Sequence, residues 1–187
     1  MAGEGSSRQR LTAIARIGVF SALAYGINAP FLVIPNVEIF SLILFLSGVF
    51  LGVTSGIAVS LIAGFIFVFF NPNGPQTILP VGAAQLLGFV LYGLAGGLIR
   101  RILLIKYSTK KALGILVAMG AALTLWYDFS TNLVFAILFG PFWPVLIGGI
   151  AFGITHLISN VLIFGLSSLI IGKIWKRIEF LMQPLAG

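Results

Sequence analysis

Residues 51–56 read LGVTSG and interrupt an apolar run that extends from residue 37 to residue 70. As a single helix, this run of 34 residues would be about 51 Å long, whereas the hydrocarbon core of a bilayer is about 30 Å thick. Two glycines flank Thr54 and Ser55 in this segment, and glycine is the residue that most readily interrupts a helical pattern. We therefore predict that the run is divided here into two short helices.

Four further apolar runs, at about residues 11–28, 80–99, 112–138 and 144–172, accompany this one. Hydrophobic residues make up 59% of the 187 residues, charged residues 8%, and the mean hydropathy is +1.15. This balance is far from that of a soluble domain and predicts an all-α, polytopic membrane protein. We predict one membrane domain over residues 11–178, with a polar N-terminal tail at 1–10 and a C-terminal tail at 179–187. The first apolar stretch lacks a signal-peptide cleavage site and is expected to remain as a helix.

The basic residues predict the topology. Lysine and arginine favour cytoplasmic loops, and the 11 basic residues fall into three clusters. All three clusters can lie inside only if 37–70 forms two helices, which gives six transmembrane helices, both termini in the cytoplasm and a multi-pass location in the plasma membrane. The clusters are Arg8, Arg10 and Arg16; Arg100, Arg101, Lys106, Lys110 and Lys111; and Lys173, Lys176 and Arg177. The net charge of +7 follows from this topology; no nucleic-acid-binding motif accompanies it.

Polar residues within the apolar runs predict a functional site. A carboxylate in hydrocarbon costs several kcal/mol, so Asp128 is expected to face a packed interior or a watery cavity. Asn132 lies one turn from Asp128, and Asn160 lies one turn from His156, so each pair shares a helix face. We predict an outward-facing, aromatic-lined cavity. Its other candidate residues are Glu38, Asn71, Asn73, Gln85, Trp126 and Tyr127.

Each candidate also has a structural interpretation. Tyr127 is the kind of residue found in interfacial aromatic belts, and Asn132 and Asn160 could simply tie helices together with hydrogen bonds. His156 could be a neutral packing residue that pairs with Asp128. These alternatives remain open at the level of sequence.

Motifs for catalysis are scarce. The chain has one histidine and no cysteine, and it lacks a nucleophile elbow, a Walker loop and a Rossmann glycine pattern. His156 and Asn160 match the His-x-x-x-Asn element of intramembrane CAAX-type proteases, but the paired glutamates of those enzymes are missing. We expect no catalytic residues, no metal site and no cofactor, and we keep a CAAX-type enzyme only as a remote alternative.

Several features together resemble the substrate-binding S components of energy-coupling factor (ECF) transporters. They are the length, the six predicted helices, the small-residue first helix after a basic start, and the glycine-broken stretch LSGVFLGVTSGIAVSLIAG at residues 46–64. The polar patterns D128xxTN132 and H156xxxN160 complete the resemblance, which covers nearly the whole chain.

The resemblance implies a subunit that binds a vitamin or vitamin precursor near the outer surface. A membrane coupling protein and a pair of cytoplasmic ATPases would then drive uptake, and this chain has no nucleotide-binding loop of its own. The family's Ala-x-x-x-Ala docking pattern on helix one would be replaced here by Gly18, Ala22 and Gly26. A solitary transporter is the alternative, although it would be expected to show an internal repeat.

The substrate is predicted only by class. Aromatic and amide side chains suit a planar or amide-bearing organic molecule. The resemblance also disfavours nickel or cobalt, because members of the family for these metals depend on an N-terminal histidine motif, whereas this chain begins MAGEGSS and His156 is its single histidine. The stretch NPNGP, followed by PVGAAQ, resembles S components for cobalamin-type cargo.

Overall fold

The computed structural model describes residues 2–34, 36–71, 75–105 and 109–182, and all regular structure in these ranges is helical. The prediction of an all-α chain with six helices is confirmed. The elements are α1 (Ala2–Asn28), a 3₁₀ helix (Ala29–Val33), α2 (Phe40–Leu51), α3 (Val53–Phe69), α4 (Leu79–Ile105), α5 (Thr109–Phe139) and α6 (Phe142–Met182).

The predicted break in the long apolar run is confirmed at Gly52. This residue has a φ of 92°, a conformation that side chains disfavour, and its amide donates to the carbonyl oxygen of Gly48 at 2.9 Å. A Cβ atom at Gly56 would lie 2.6 Å from the Cα atom of Gly48, whereas residues eight apart on a straight helix are separated by about 12 Å. Helix α3 therefore folds back along α2, and the two form a helical hairpin.

Among the residues that the structure describes, four helical segments are long and apolar enough to cross a membrane. They are Ser7–Phe31, Leu79–Leu104, Lys110–Phe139 and Phe142–Ile171. Helices α2 and α3 have 12 and 17 residues, which corresponds to about 18 and 26 Å and falls short of the roughly 30 Å core. Nine of the 12 residues of α2 are buried, so other helices, rather than lipid, surround this short element.

The predicted tails are partly helical. Helix α1 begins at Ala2, so most of the segment predicted as a polar N-terminal tail continues the first helix. Helix α6 likewise extends past residue 178 to Met182. Neither segment contains a proline within its helical part, so nothing in the sequence interrupts the helix there.

Glycines hold α2, α3 and α4 at close range. A Cβ atom at Gly93 would lie 2.6 Å from the carbonyl carbon of Gly56, and one at Gly97 would lie 2.6 Å from the Cα atom of Val53. At Gly48 a Cβ atom would lie 2.6 Å from the amide nitrogen of Gly97. Small residues permit such close backbone approach between membrane helices. Gly48 therefore serves internal packing between α2 and α4.

The bundle has two chemically different ends. The described arginine and lysine residues lie early in α1, late in α4, at the start of α5 and late in α6. The opposite end contains the ends of α1 and α3, where the Tyr25 hydroxyl donates to the carbonyl oxygen of Phe70 at 3.0 Å. The helices alternate in direction, as the predicted topology requires, and the cavity opens at the end that lacks the basic residues.

Candidate functional site

A cavity of about 470 Å³ occupies the non-basic end of the bundle. Its walls come from α1, α3, α4, α5, α6 and the connection between α1 and α2. The lining residues are Asn28, Phe31, Ile34, Asn36, Val37, Glu38, Phe67, Asn71, Gln85, Tyr127, Asp128, Thr131, Asn132, Gly149, Phe152, Gly153 and His156.

The centre of the site is an imidazole between two carboxylates. His156 Nδ1 lies 2.8 Å from Asp128 Oδ1, and His156 Nε2 lies 3.4 Å from Glu38 Oε1. The histidine side chain is 6% exposed, whereas Glu38 and Asp128 are 13% and 22% exposed. Since the carboxylates are acceptors, the Nδ1–H of the imidazole donates to Asp128. The pairing of His156 with Asp128 is thus present, and both side chains also face the cavity.

The position of Glu38 depends on a cap supplied by another helix. Asn28, at the end of α1, is only 2% exposed. Its Oδ1 accepts hydrogen bonds from the backbone amides of Ile39 and Phe40 at 3.0 and 3.2 Å. These amides begin α2 and would otherwise lack intrahelical partners. Ser41 in turn donates to Glu38 Oε1. The start of α2, and with it Glu38, is therefore fixed against α1.

Aromatic rings form the inner wall. The Tyr127 ring meets the His156 ring edge-on at 5.8 Å and lies 5.0 Å from the Phe89 ring. Phe67 stacks on Phe40 at 4.6 Å. Such ring pairs add to the energy of burial and hold the rings in fixed orientations. The cavity therefore has a rigid apolar base beside its charged groups.

Seven of the ten residues predicted for the site line this cavity, and they come from five separate parts of the chain. They are Glu38, Asn71, Gln85, Tyr127, Asp128, Asn132 and His156. Asn73 lies outside the described residues.

Asn160 and Trp126 lie elsewhere. Asn160 is fully buried and its Nδ2 donates to Thr124 Oγ1 at 2.8 Å, and the same hydroxyl lies 3.2 Å from the hydroxyl of Tyr92. Asn160 thus ties α6 to α5, as its structural interpretation proposed. Trp126 is 54% exposed on the outside of the bundle, because successive residues of a helix point about 100° apart and its neighbour Tyr127 takes the inward direction.

Three polar lining residues, Asn28, Asn36 and Thr131, were not among the predicted site residues. Asn36 adopts a positive φ of 60° and donates from Nδ2 to the carbonyl oxygen of Phe152 at 2.9 Å. Asn28 and Asn36 lie in the proline-rich connection NAPFLVIPNVE, so its position beside Glu38 could have indicated them. Thr131 lies one turn from Tyr127, to whose carbonyl oxygen its hydroxyl donates at 2.9 Å.

The stripe predicted for partner docking lies on the open face of α1. Gly18, Ala22 and Gly26 are all exposed, and a Cβ atom at either glycine would meet no other atom within 4 Å. The buried side of the helix is formed instead by Ser21 and Ala24. These three positions are therefore free of the contacts that hold the bundle together.

Comparison of the chain with protein-family models, with curated proteins and with solved structures finds no match. The site is accordingly interpreted from its own geometry.

Proposed function

We propose that this chain is the membrane-embedded substrate-binding subunit of an ATP-driven uptake transporter for a vitamin or vitamin precursor. The observation that carries the proposal is the cavity, in which Glu38, Asp128 and His156 meet at one end of an otherwise apolar bundle. Burying these groups costs free energy. Binding of a ligand to these three groups would explain why they are retained.

The dimensions of the cavity suit a small organic molecule. Its volume of about 470 Å³ falls within the range of roughly 300–1,000 Å³ that is typical of small-molecule sites. The wall combines aromatic faces with the amides of Asn71, Gln85 and Asn132. This combination favours a compact ring system, and the space is small for a whole corrinoid such as cobalamin.

The wider assembly follows from the resemblance to S components. In this proposal the basic end of the bundle faces the cytoplasm of a multi-pass plasma-membrane protein, and the cavity opens outward. A coupling protein binds the stripe of Gly18, Ala22 and Gly26, and ATPase subunits supply the energy. The chain itself binds and releases its cargo without changing it chemically.

The proposal is tested by identifying the small molecule that copurifies with the protein. The protein is purified from its native membrane, denatured, and the released molecules are analysed by mass spectrometry. We expect one vitamin-like compound in near-stoichiometric amount. Gly153 lines the cavity, and a Gly153→Phe side chain would fill it, so this variant should lose the compound.

Gly148→Phe is the matched control. Gly148 lies on the same helix, is exposed, and has no atom within 4 Å of its Cβ position. This variant should retain the compound. A protein that yields no enriched compound, or that yields the same amount from Gly153→Phe and Gly148→Phe, would contradict the proposal.

A further inference from the structure

The wall of the cavity is negatively charged. Its charged groups are Glu38, Asp128 and His156, and none of the described lining residues is lysine or arginine. With both carboxylates ionised, the net charge of the wall is −2 when His156 is neutral and −1 when it is protonated. The amide side chains around it can donate or accept hydrogen bonds but add no net charge.

The atoms left available in the cluster are hydrogen-bond acceptors. The described hydrogen bonds of the carboxylates use Glu38 Oε1 and Asp128 Oδ1, which leaves Glu38 Oε2 and Asp128 Oδ2 for a ligand. His156 is 5% exposed, and its Nε2 has no hydrogen-bond partner among the described residues. This nitrogen lies 3.4 Å from Glu38 Oε1, so each ring nitrogen of His156 faces a carboxylate. The second oxygen of each carboxylate is the acceptor that a donor from outside the chain can use.

We propose that the cargo carries a cationic nitrogen group, which binds between Glu38 and Asp128 and donates to Glu38 Oε2 and Asp128 Oδ2. This inference names the substrate class of the proposed binding subunit and rests on that function. Ammonium and amidinium groups supply several N–H donors and form the stronger, charge-assisted bonds to carboxylates.

The rest of the ligand is expected to be planar. The rings of Phe31, Phe67, Tyr127 and Phe152 line the same space. Aromatic faces attract cations and stack on flat rings. A flat heteroaromatic cation, or a ring with an attached amine, would satisfy both the charged and the aromatic parts of the wall.

The proposal can be tested with three small probes that share one shape. Benzamidinium, benzamide and benzoate are planar and nearly equal in size, and they carry charges of about +1, 0 and −1 at neutral pH. Their binding is measured by saturation-transfer NMR on the full chain in nanodiscs of zwitterionic lipid, after removal of copurified ligand. Fragments of this size bind with a Kd on the order of 1 mM. The chain has a net charge of +7, so non-specific attraction would favour benzoate.

We expect benzamidinium to bind at least about tenfold more tightly than benzamide, and benzoate not to bind. Glu38→Gln and Asp128→Asn should each lower the affinity for benzamidinium at least about tenfold and change the affinity for benzamide little. Glu4→Gln is the matched control, because it removes one carboxylate at a position 24 residues before Asn28 in α1, which corresponds to about 36 Å of helix. It should leave all three affinities unchanged.

Other results would overturn the inference in distinguishable ways. Benzoate or benzamide binding as tightly as benzamidinium would exclude a cationic cargo, whereas the cavity would remain a binding site if Gly153→Phe abolished that binding. If benzamidinium did not bind at about 10 mM, well above the expected Kd, and no copurified compound were found, the inference and the proposed function would both fail.

Discussion

The side chain of Asp128 is stabilised by one neighbour and partly open to the cavity. Its Oδ1 accepts a hydrogen bond from His156 at 2.8 Å, and the side chain remains 22% exposed. A residue needed only to join α5 to α6 could be a neutral amide, as Asn160 is where it contacts Thr124. The partial exposure of Asp128 therefore favours a role in binding.

Asp128→Asn tests this role. The change nearly preserves shape and removes the charge, and a neutral amide is easier to bury than a carboxylate. We expect the affinity for the copurified ligand to fall at least tenfold, which is about 1.4 kcal/mol, while the thermal unfolding temperature changes little. Ligand titration and thermal unfolding are measured on the same purified variant.

Trp126→Phe is the control for this prediction, because Trp126 lies two residues away on the outside of the bundle. It should preserve both affinity and unfolding temperature. Unchanged affinity in a folded Asp128→Asn protein would remove Asp128 from the site.

At the residue scale, helical spacing predicted the site only in part. A spacing of four placed Asn132 beside Asp128 in the cavity, because both lie in the half of α5 that faces it. The same spacing fails for Asn160, which lies one turn deeper than His156, below the cavity floor and beside Thr124. Spacing gives the face of a helix, but the depth at which a cavity ends depends on residues of other helices.

The hairpin of α2 and α3 is the element that shapes the bundle. Its break at Gly52 was predictable, since an apolar run of that length must end or tilt and glycine interrupts helices. Its packing on α4 was not, because the contacts of Gly48 and Gly56 with Gly93 join residues far apart in the sequence. A single sequence does not show which of its glycines meet.

Gly93→Ala should destabilise the protein. A Cβ atom at Gly93 would meet the hydroxyl of Ser60 and the backbone of Gly56, and the backbone cannot give way without moving a helix. Overpacking of this kind typically costs about 1–3 kcal/mol. Thermal unfolding of the purified protein in detergent should show a lower midpoint.

Gly18→Ala is the matched control in α1, where a Cβ atom would meet no other atom within 4 Å. In an open helical position alanine is favoured over glycine by roughly 0.5–1 kcal/mol, so stability should be equal or higher. A Gly93→Ala protein as stable as the Gly18→Ala protein would show that the close contact of α3 and α4 relaxes at little cost.

At the scale of the whole molecule, charge and cavity lie at opposite ends. Basic residues tend to remain on the cytoplasmic side, so this separation supports an outward-facing cavity. The alternating helix directions could be predicted from the spacing of the basic clusters. The shortness of α2 and α3 was predicted from the divided apolar run. The burial of α2 among other helices could not be predicted, because it depends on contacts between separate elements.

Single cysteines in this cysteine-free chain test the orientation. Thr77 is exposed near the cavity end, and Lys110 is exposed at the basic end. A membrane-impermeant thiol reagent added to whole cells should label Thr77→Cys and leave Lys110→Cys unlabelled until the membrane is opened. The reverse pattern would place the cavity on the cytoplasmic side.

Ala22→Trp tests the docking stripe. Ala22 is exposed on α1, so a large side chain should leave the bundle and the ligand affinity nearly unchanged. It should weaken copurification with the coupling protein and reduce ATP-dependent uptake. Leu11 is exposed on the same helix, and Leu11→Trp is the control. It should preserve both copurification with the coupling protein and ATP-dependent uptake. Loss of ligand binding with intact complex formation in Ala22→Trp would show that this face has another role.

The hydrogen bond from Asn36 to the Phe152 carbonyl joins the α1–α2 connection to α6, and both residues line the cavity. We expect this connection to slow the exit of a bound molecule, so that the lifetime of the complex depends on an opening step as well as on affinity. Asn36→Gly keeps the positive φ accessible and removes the donor. Its cargo should dissociate several-fold faster in a stopped-flow chase, with association accelerated by a similar factor and the equilibrium nearly unchanged.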